Sequence, residues 1–142
     1  MTNHQIQLIK TTWQAAAANA EVVGPLFYNR LFEIAPEVKP MFSRTTVPEQ
    51  SRKLLAMLSF VISKLDSLDE ILDEVSMLAQ RHVKYGVQAK HFEYVGAALL
   101  WTLEKGLGEM WNAEVKEAWT TCYGILSSAM IDAGNMAQKD AA

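Results

Sequence analysis

An all-α fold is predicted by three features of the sequence. The four prolines, Pro25, Pro36, Pro40 and Pro48, all precede position 49, leaving a long proline-free remainder. Proline and glycine together fall well below average usage, and neither an Asn-Gly nor an Asp-Gly hairpin pair occurs. No stretch alternates Val, Ile or Thr with polar residues as a strand does.

The first helix is expected from about Asn3 to Ala18, with Ile6, Ile9 and Trp13 at helical spacing. A second follows from about Glu21 to Ile34, where Pro25 is tolerable only in the first turn. Pro36 and Pro40 confine a short helical turn before an irregular stretch holding Phe42, Ser43 and Arg44. Thr46 and Glu49 read as a capping box opening a helix to about Leu65, and Ser67 with Glu70 as another, opening a helix to Val83 or Lys84. Gly86 breaks the chain. Helices from about Lys90 to Lys105 and from about Asn112 to Ala137 complete the set, separated by Gly106 and Gly108, with Asn112 as the last cap. Loops of such unequal length suit an irregular packed-helix fold around one core better than a symmetric bundle.

Composition narrows the function. At 142 residues a single domain, 1–142, is expected. Half the residues are hydrophobic, enough for a core without disulfides, and the sole cysteine, Cys122, excludes an internal one. Cys122 shares the stripe Val115, Trp119, Leu126 and reads as buried and inert. A net charge of −3, with signs interspersed, speaks against a nucleic-acid groove. No apolar run approaches a membrane span, and the start lacks a signal peptide's basic flank and apolar core. A cytoplasmic protein is the expectation.

Polar residues on apolar stripes mark the candidate chemistry. His82 ends the stripe Ile71, Val75, Leu78, His82, so it points inward. Such a histidine is either a core residue bonded to a backbone carbonyl or a cofactor ligand. A zinc site needs three or four protein ligands, whereas His4 and His91 stand in polar, apparently exposed surroundings. A haem iron, by contrast, can be held by one histidine. Gln50 shares its stripe with Leu54, Leu58, Val61 and Leu65, and either reaches solvent from the first turn or aims a donor into a cavity. Tyr28 shares a face with Leu31, Phe32 and Ala35. It reads as a core aromatic with a partnered hydroxyl, while Phe42 reads as a loop anchor. Arg44, Arg52 and Lys53 form a small basic cluster, and residues 66–74 an acidic one.

The order of these residues changes their meaning. Residues 27–32 (FYNRLF), 36–42 (PEVKPMF), 50–54 (QSRKL), 81–87 (RHVKYGV) and 118–124 (AWTTCYG) resemble bacterial globins over essentially the whole chain. The likeness is to single-domain globins related to flavohaemoglobin haem domains and to neuroglobin-like bacterial proteins. It implies a three-over-three globin fold with a reduced fourth helix, and haem b as cofactor. His82 then matches the proximal iron ligand and Phe42 the ring stacked on the porphyrin. Tyr28 and Gln50 match the distal residues facing bound gas, and Leu54 the aliphatic residue over the iron. Lys53 matches a propionate partner, while Val87, Phe92, Val95 and Tyr123 match positions lining the pocket. No catalytic residue beyond these is implied.

The departures are informative too. Flavohaemoglobins carry a glutamate and a tyrosine around the proximal histidine, where this chain has Gly134 and Phe92. Asp132 points about 200° away from position 134 on a helix, so His82 is expected to donate to a carbonyl one turn back, such as that of Leu78. That lowers the expectation of peroxidase-like chemistry. The chain ends at Ala142, so any electrons are expected from a separate reductase. Reversible binding of oxygen, or of nitric oxide or carbon monoxide, is therefore the leading expectation. The alternatives are a nitric-oxide dioxygenase served by a reductase and a haem-free regulatory module.

Overall fold

The computed structural model describes residues 1–141, with side-chain surroundings for residues 1–135. Six α-helices account for most of them: α1 (Asn3–Ala17), α2 (Ala20–Ile34), α3 (Val47–Ser63), α4 (Leu72–Lys84), α5 (Ala89–Leu107) and α6 (Ala113–Ala141). Short 3-10 segments at Pro36–Phe42, Leu65–Ile71 and Gly108–Met110 join them. No strand occurs among the described residues.

Local chemistry sets the helix starts. Thr2 and Gln5 exchange hydrogen bonds in a capping box before α1: Gln5 N–H donates to the Thr2 hydroxyl at 3.1 Å and Thr2 N–H to Gln5 Oε1 at 3.0 Å. Thr46 caps α3 by accepting from Glu49 N–H at 3.3 Å, while the Glu49 carboxylate accepts from the Thr45 hydroxyl instead of closing the box. Asn112 caps α6, its Oδ1 accepting from Val115 N–H at 2.9 Å.

Four expectations are corrected. Ser67 opens no α-helix: its φ of −144° and ψ of 42° are non-helical, and the chain passes through a 3-10 turn until Leu72. A Ser-x-x-Glu spacing is necessary for a capping box but does not itself supply the helical frame. Pro25 lies in the second turn of α2, not the first. Its missing N–H leaves the carbonyl four residues back, on exposed Glu21, free to bond water. Gly106 stays inside α5, and the break falls at Gly108, whose φ is +56°. Without proline or glycine to stop it beyond Gly134, α6 runs past Ala137 to Ala141.

The core is formed where the helices cross, from Ile9 and Trp13 of α1, Phe27 and Leu31 of α2, Leu99 and Leu103 of α5, and Trp119 and Cys122 of α6. The two indoles meet at 6.1 Å, tilted by 55°. Each finds a partner for its N–H: Trp119 donates to the Thr12 hydroxyl and Trp13 to the Ser59 hydroxyl, both at 2.9 Å. α2 crosses α3 very closely at Gly24, where a Cβ would lie 2.5 Å from Ser51 Cβ. α3 packs mainly on α2, and α4 mainly on α6. The helices carrying Gln50 and His82 are thus anchored on different partners. No helix among the described residues is long and apolar enough to cross a membrane.

Candidate functional site

Two clusters of the singled-out residues emerge. In the first, Tyr28, Phe42 and Gln50 line a cavity of about 470 Å³ together with Phe32, Pro36, Lys39 and Val47. The Tyr28 and Phe42 rings meet edge-on, 5.5 Å apart at 70°, and Phe32 stands 5.6 Å from Phe42. The loop phenylalanine is therefore an anchor, and it also walls the cavity. Gln50 is half-buried, and its side chain belongs to the lining.

Tyr28 is 3% exposed. Its hydroxyl donates to the backbone carbonyl of Gln50 at 3.4 Å, beyond the usual range for an O–H···O bond. Burial pushes its phenol up to about 12, with the Gln50 side chain opposing that shift. At neutral pH this is a protonated donor, weakly engaged, facing an open space.

The second cluster is built on His82, half-buried in the last turn of α4. Nδ1 bonds the Leu78 carbonyl at 2.8 Å. A carbonyl only accepts, so a proton sits on Nδ1, and in the neutral imidazole the lone pair is on Nε2. The His82 and Phe92 rings lie nearly parallel, 22° apart in plane and 6.2 Å between centroids. Tyr123 donates its hydroxyl to the Phe92 carbonyl at 2.5 Å. Val87 N–H donates to the His82 carbonyl at 3.0 Å, closing the turn after α4, and Gly86 supplies the positive φ of +84° that this turn needs.

Not every candidate joins a cluster. His82 does not line the cavity, nor do Lys53, Leu54, Val87, Phe92, Val95 or Tyr123. Leu54, Val95 and Tyr123 are partly buried against the core, and Lys53 is exposed on α3. Among the described residues no three His, Cys, Asp or Glu side chains gather into a metal cage.

His91 corrects the sequence reading outright. It is 6% exposed, and its Nδ1 accepts from Gln88 N–H at 2.9 Å to cap α5. A charged neighbourhood in sequence says nothing about a helix end folded inward; the Gln-x-x-His spacing before an apolar run was the available signal. Further cavity residues were not among the predicted site residues, among them Phe32, which shares a helix face with Tyr28, and Lys39, between the two prolines.

The proximal departure falls at a close approach. A Cβ at Gly134 would lie 3.0 Å from Val83 Cγ2, tighter than ordinary packing, where α6 meets α4. A side chain there requires the Val83 methyl to give by a few tenths of an ångström. Asp132 is exposed, and the described bond from His82 Nδ1 goes to a neutral carbonyl.

Comparison with known proteins agrees with this architecture. A family model described as Globin matches residues 26–130. The chain is 34% identical over 131 residues to an anaerobic nitrite reductase, NSHB5, of Oryza sativa subsp. indica, covering 89% of this chain and 90% of that one. It is 29% identical over 137 residues to neuroglobin of Chaenocephalus aceratus, covering 87% and 86%. A flavohemoprotein of Rhodopirellula baltica is 29% identical over 133 residues, 92% of this chain but only 33% of that longer protein. Among solved structures, a bacterial globin from Campylobacter jejuni superposes with a TM-score of 0.86 at 28% identity, covering 97% of this chain and 99% of that one.

Proposed function

The chain belongs to the globin family, and from that membership we propose that it is a haem b protein that reversibly binds oxygen and other diatomic gases. Globins bind haem and gases; the roles of individual residues below are our assignment. His82 is the iron ligand, with Tyr28 and Gln50 facing the gas from the other side. Phe42, Leu54, Val87, Phe92, Val95 and Tyr123 bound the porphyrin, and Lys53 reaches a propionate. When bound, haem supplies an iron that coordinates a diatomic gas.

The observation that carries the reading is the bond between His82 Nδ1 and the Leu78 carbonyl. Since the carbonyl only accepts, the neutral imidazole keeps its lone pair on Nε2, where it can bind a metal. A core histidine satisfied at both nitrogens would not offer that lone pair. On the cavity side, the Tyr28 hydroxyl is held at 3.4 Å only, so it can turn from the Gln50 carbonyl toward a polarised ligand at little cost.

Optical spectra of the haem-reconstituted protein test the assignment. A Soret band that responds to oxygen and carbon monoxide is expected. Its loss in His82→Ala, with helicity retained, would confirm the ligand, whereas a wild-type protein that takes up no haem refutes it.

A second reading draws on the flavohemoprotein likeness: nitric-oxide dioxygenation, in which nitric oxide, oxygen and one electron yield nitrate. The electron would come from a separate flavin reductase. Stopped-flow mixing of the oxygenated protein with nitric oxide separates the two readings: rapid multiple turnover with reductase marks an enzyme, and a single oxidation marks a carrier. The neutral partner of His82 disfavours peroxidase-like bond cleavage, which an anionic partner promotes.

A further inference from the structure

Tyr123 makes two contacts that together clamp one turn of α5. Its ring lies against Gly96, where a Cβ would stand 2.7 Å from Cε2 and 3.0 Å from Cδ2. No side chain fits at position 96 without displacing that ring. One turn earlier, its hydroxyl donates to the Phe92 carbonyl at 2.5 Å. The turn Phe92–Gly96 is therefore gripped at both ends by a residue of α6.

Phe92 is the residue of that turn which touches the proximal cluster. Its ring faces the His82 imidazole at 22° and 6.2 Å. The bond from Nδ1 to the Leu78 carbonyl tethers one edge of the imidazole but leaves the ring free to tilt about that edge. The nearly parallel Phe92 ring beside it limits that tilt. No carboxylate takes this part from position 134: Gly134 has no side chain, and a Cβ there would already crowd Val83 Cγ2 at 3.0 Å.

We propose that Tyr123 is a positioning residue for His82, acting through Phe92, so that an apolar clamp orients the imidazole in this chain. The proposal rests on the reading of His82 as an iron ligand for its purpose, but not for its geometry. Burial raises the Tyr123 phenol above its ordinary range, which keeps the hydroxyl a donor through neutral pH.

The test compares Tyr123→Phe and Phe92→Leu with the wild type in two forms. In the haem-free protein, the exchange rate of the His82 Nδ1–H with water is read by nitrogen-15 NMR; exchange is preferred to chemical shift because losing Phe92 alters the ring current by itself. In the haem-loaded ferrous protein, the iron–histidine stretching band is read by resonance Raman. Faster exchange and a shifted or broadened band are expected in both variants. Unchanged exchange in Tyr123→Phe overturns the proposal, as does a change in Tyr123→Phe that Phe92→Leu does not share. If Tyr123→Phe loses helicity, Phe92→Leu decides alone, and unchanged exchange in it is the overturning result. Should the wild type bind no haem while both variants speed exchange, the clamp stands and the gas-binding reading falls.

Discussion

The hydroxyl of Tyr28 stands 3.4 Å from the backbone carbonyl of Gln50 and opens onto the same cavity as the Gln50 side chain. The bond is long enough to be exchanged for a better acceptor. In the haem-loaded protein, a hydrogen bond from Tyr28 to a charged or strongly polarised ligand is worth about 1.5–3 kcal/mol, or roughly ten- to a hundredfold in the release rate. Tyr28→Phe should therefore speed oxygen release by about that factor and change carbon monoxide release far less. Flash photolysis and ligand replacement measure both rates, and equal effects on the two gases contradict the assignment.

Ser51 and Gly24 meet where α2 crosses α3. The Ser51 hydroxyl is buried without a hydrogen-bond partner among the described residues, and such a group costs about 1–3 kcal/mol. Ser51→Ala should raise stability by about 1 kcal/mol. Gly24→Ala, whose Cβ would lie 2.5 Å from Ser51 Cβ, should lower it by about 1–3 kcal/mol through overpacking. Combining Gly24→Ala with Ser51→Gly should recover part of that loss, which urea denaturation of Gly24→Ala, Ser51→Gly and the double variant will read as non-additivity.

His91 closes the amino end of α5 through an acceptor nitrogen. Losing a cap costs about 0.5–2 kcal/mol. His91→Leu keeps an apolar side chain of similar size but loses the acceptor, so it should lower the urea midpoint of the haem-free protein by that order, and His91→Ala should lower it further through lost packing. A wild-type midpoint in His91→Leu would show that the cap carries nothing.

Alkaline stability follows from three buried acids, Cys122, Tyr28 and Tyr123, all raised by burial. Burial pushes Cys122 up to about 11 and Tyr28 up to about 12, from ordinary values of 9.0 and 10.0. Above pH 9 the folded chain keeps protons that the unfolded chain releases, so stability falls as pH rises through this window. Below it, these groups contribute no slope. Denaturant midpoints should drop between pH 9 and 12, and Cys122→Ala should flatten the lower part of the drop. A midpoint unchanged across that window would contradict the burial argument. Native Cys122 should also react with a thiol reagent only after unfolding.

Much of this molecule was legible from its residues, because helices announce themselves locally. Side chains three and four apart share a face, and Thr46 and Asn112 sit where helix ends need acceptors. The inward histidine and its bond to Leu78 follow from one helix alone, since donor and acceptor are one turn apart. Tyr28 and Gln50 lie 22 positions apart, and their common cavity had to be inferred from likeness to a family. That likeness named the residues, while the space between them depends on how closely α2 and α3 cross.

The amino-acid order by itself thus determined that the chain is helical, where most helices start, and that His82 faces inward; each is a short-range consequence of periodicity and capping. Only the tertiary structure decided that His91 is buried, that Ser67 starts no helix, and that Gly134 lies close against Val83. It alone set Phe92 against His82 under the grip of Tyr123. Those outcomes depend on distances between helices that are remote in sequence, and such distances are settled by the packing of the whole core.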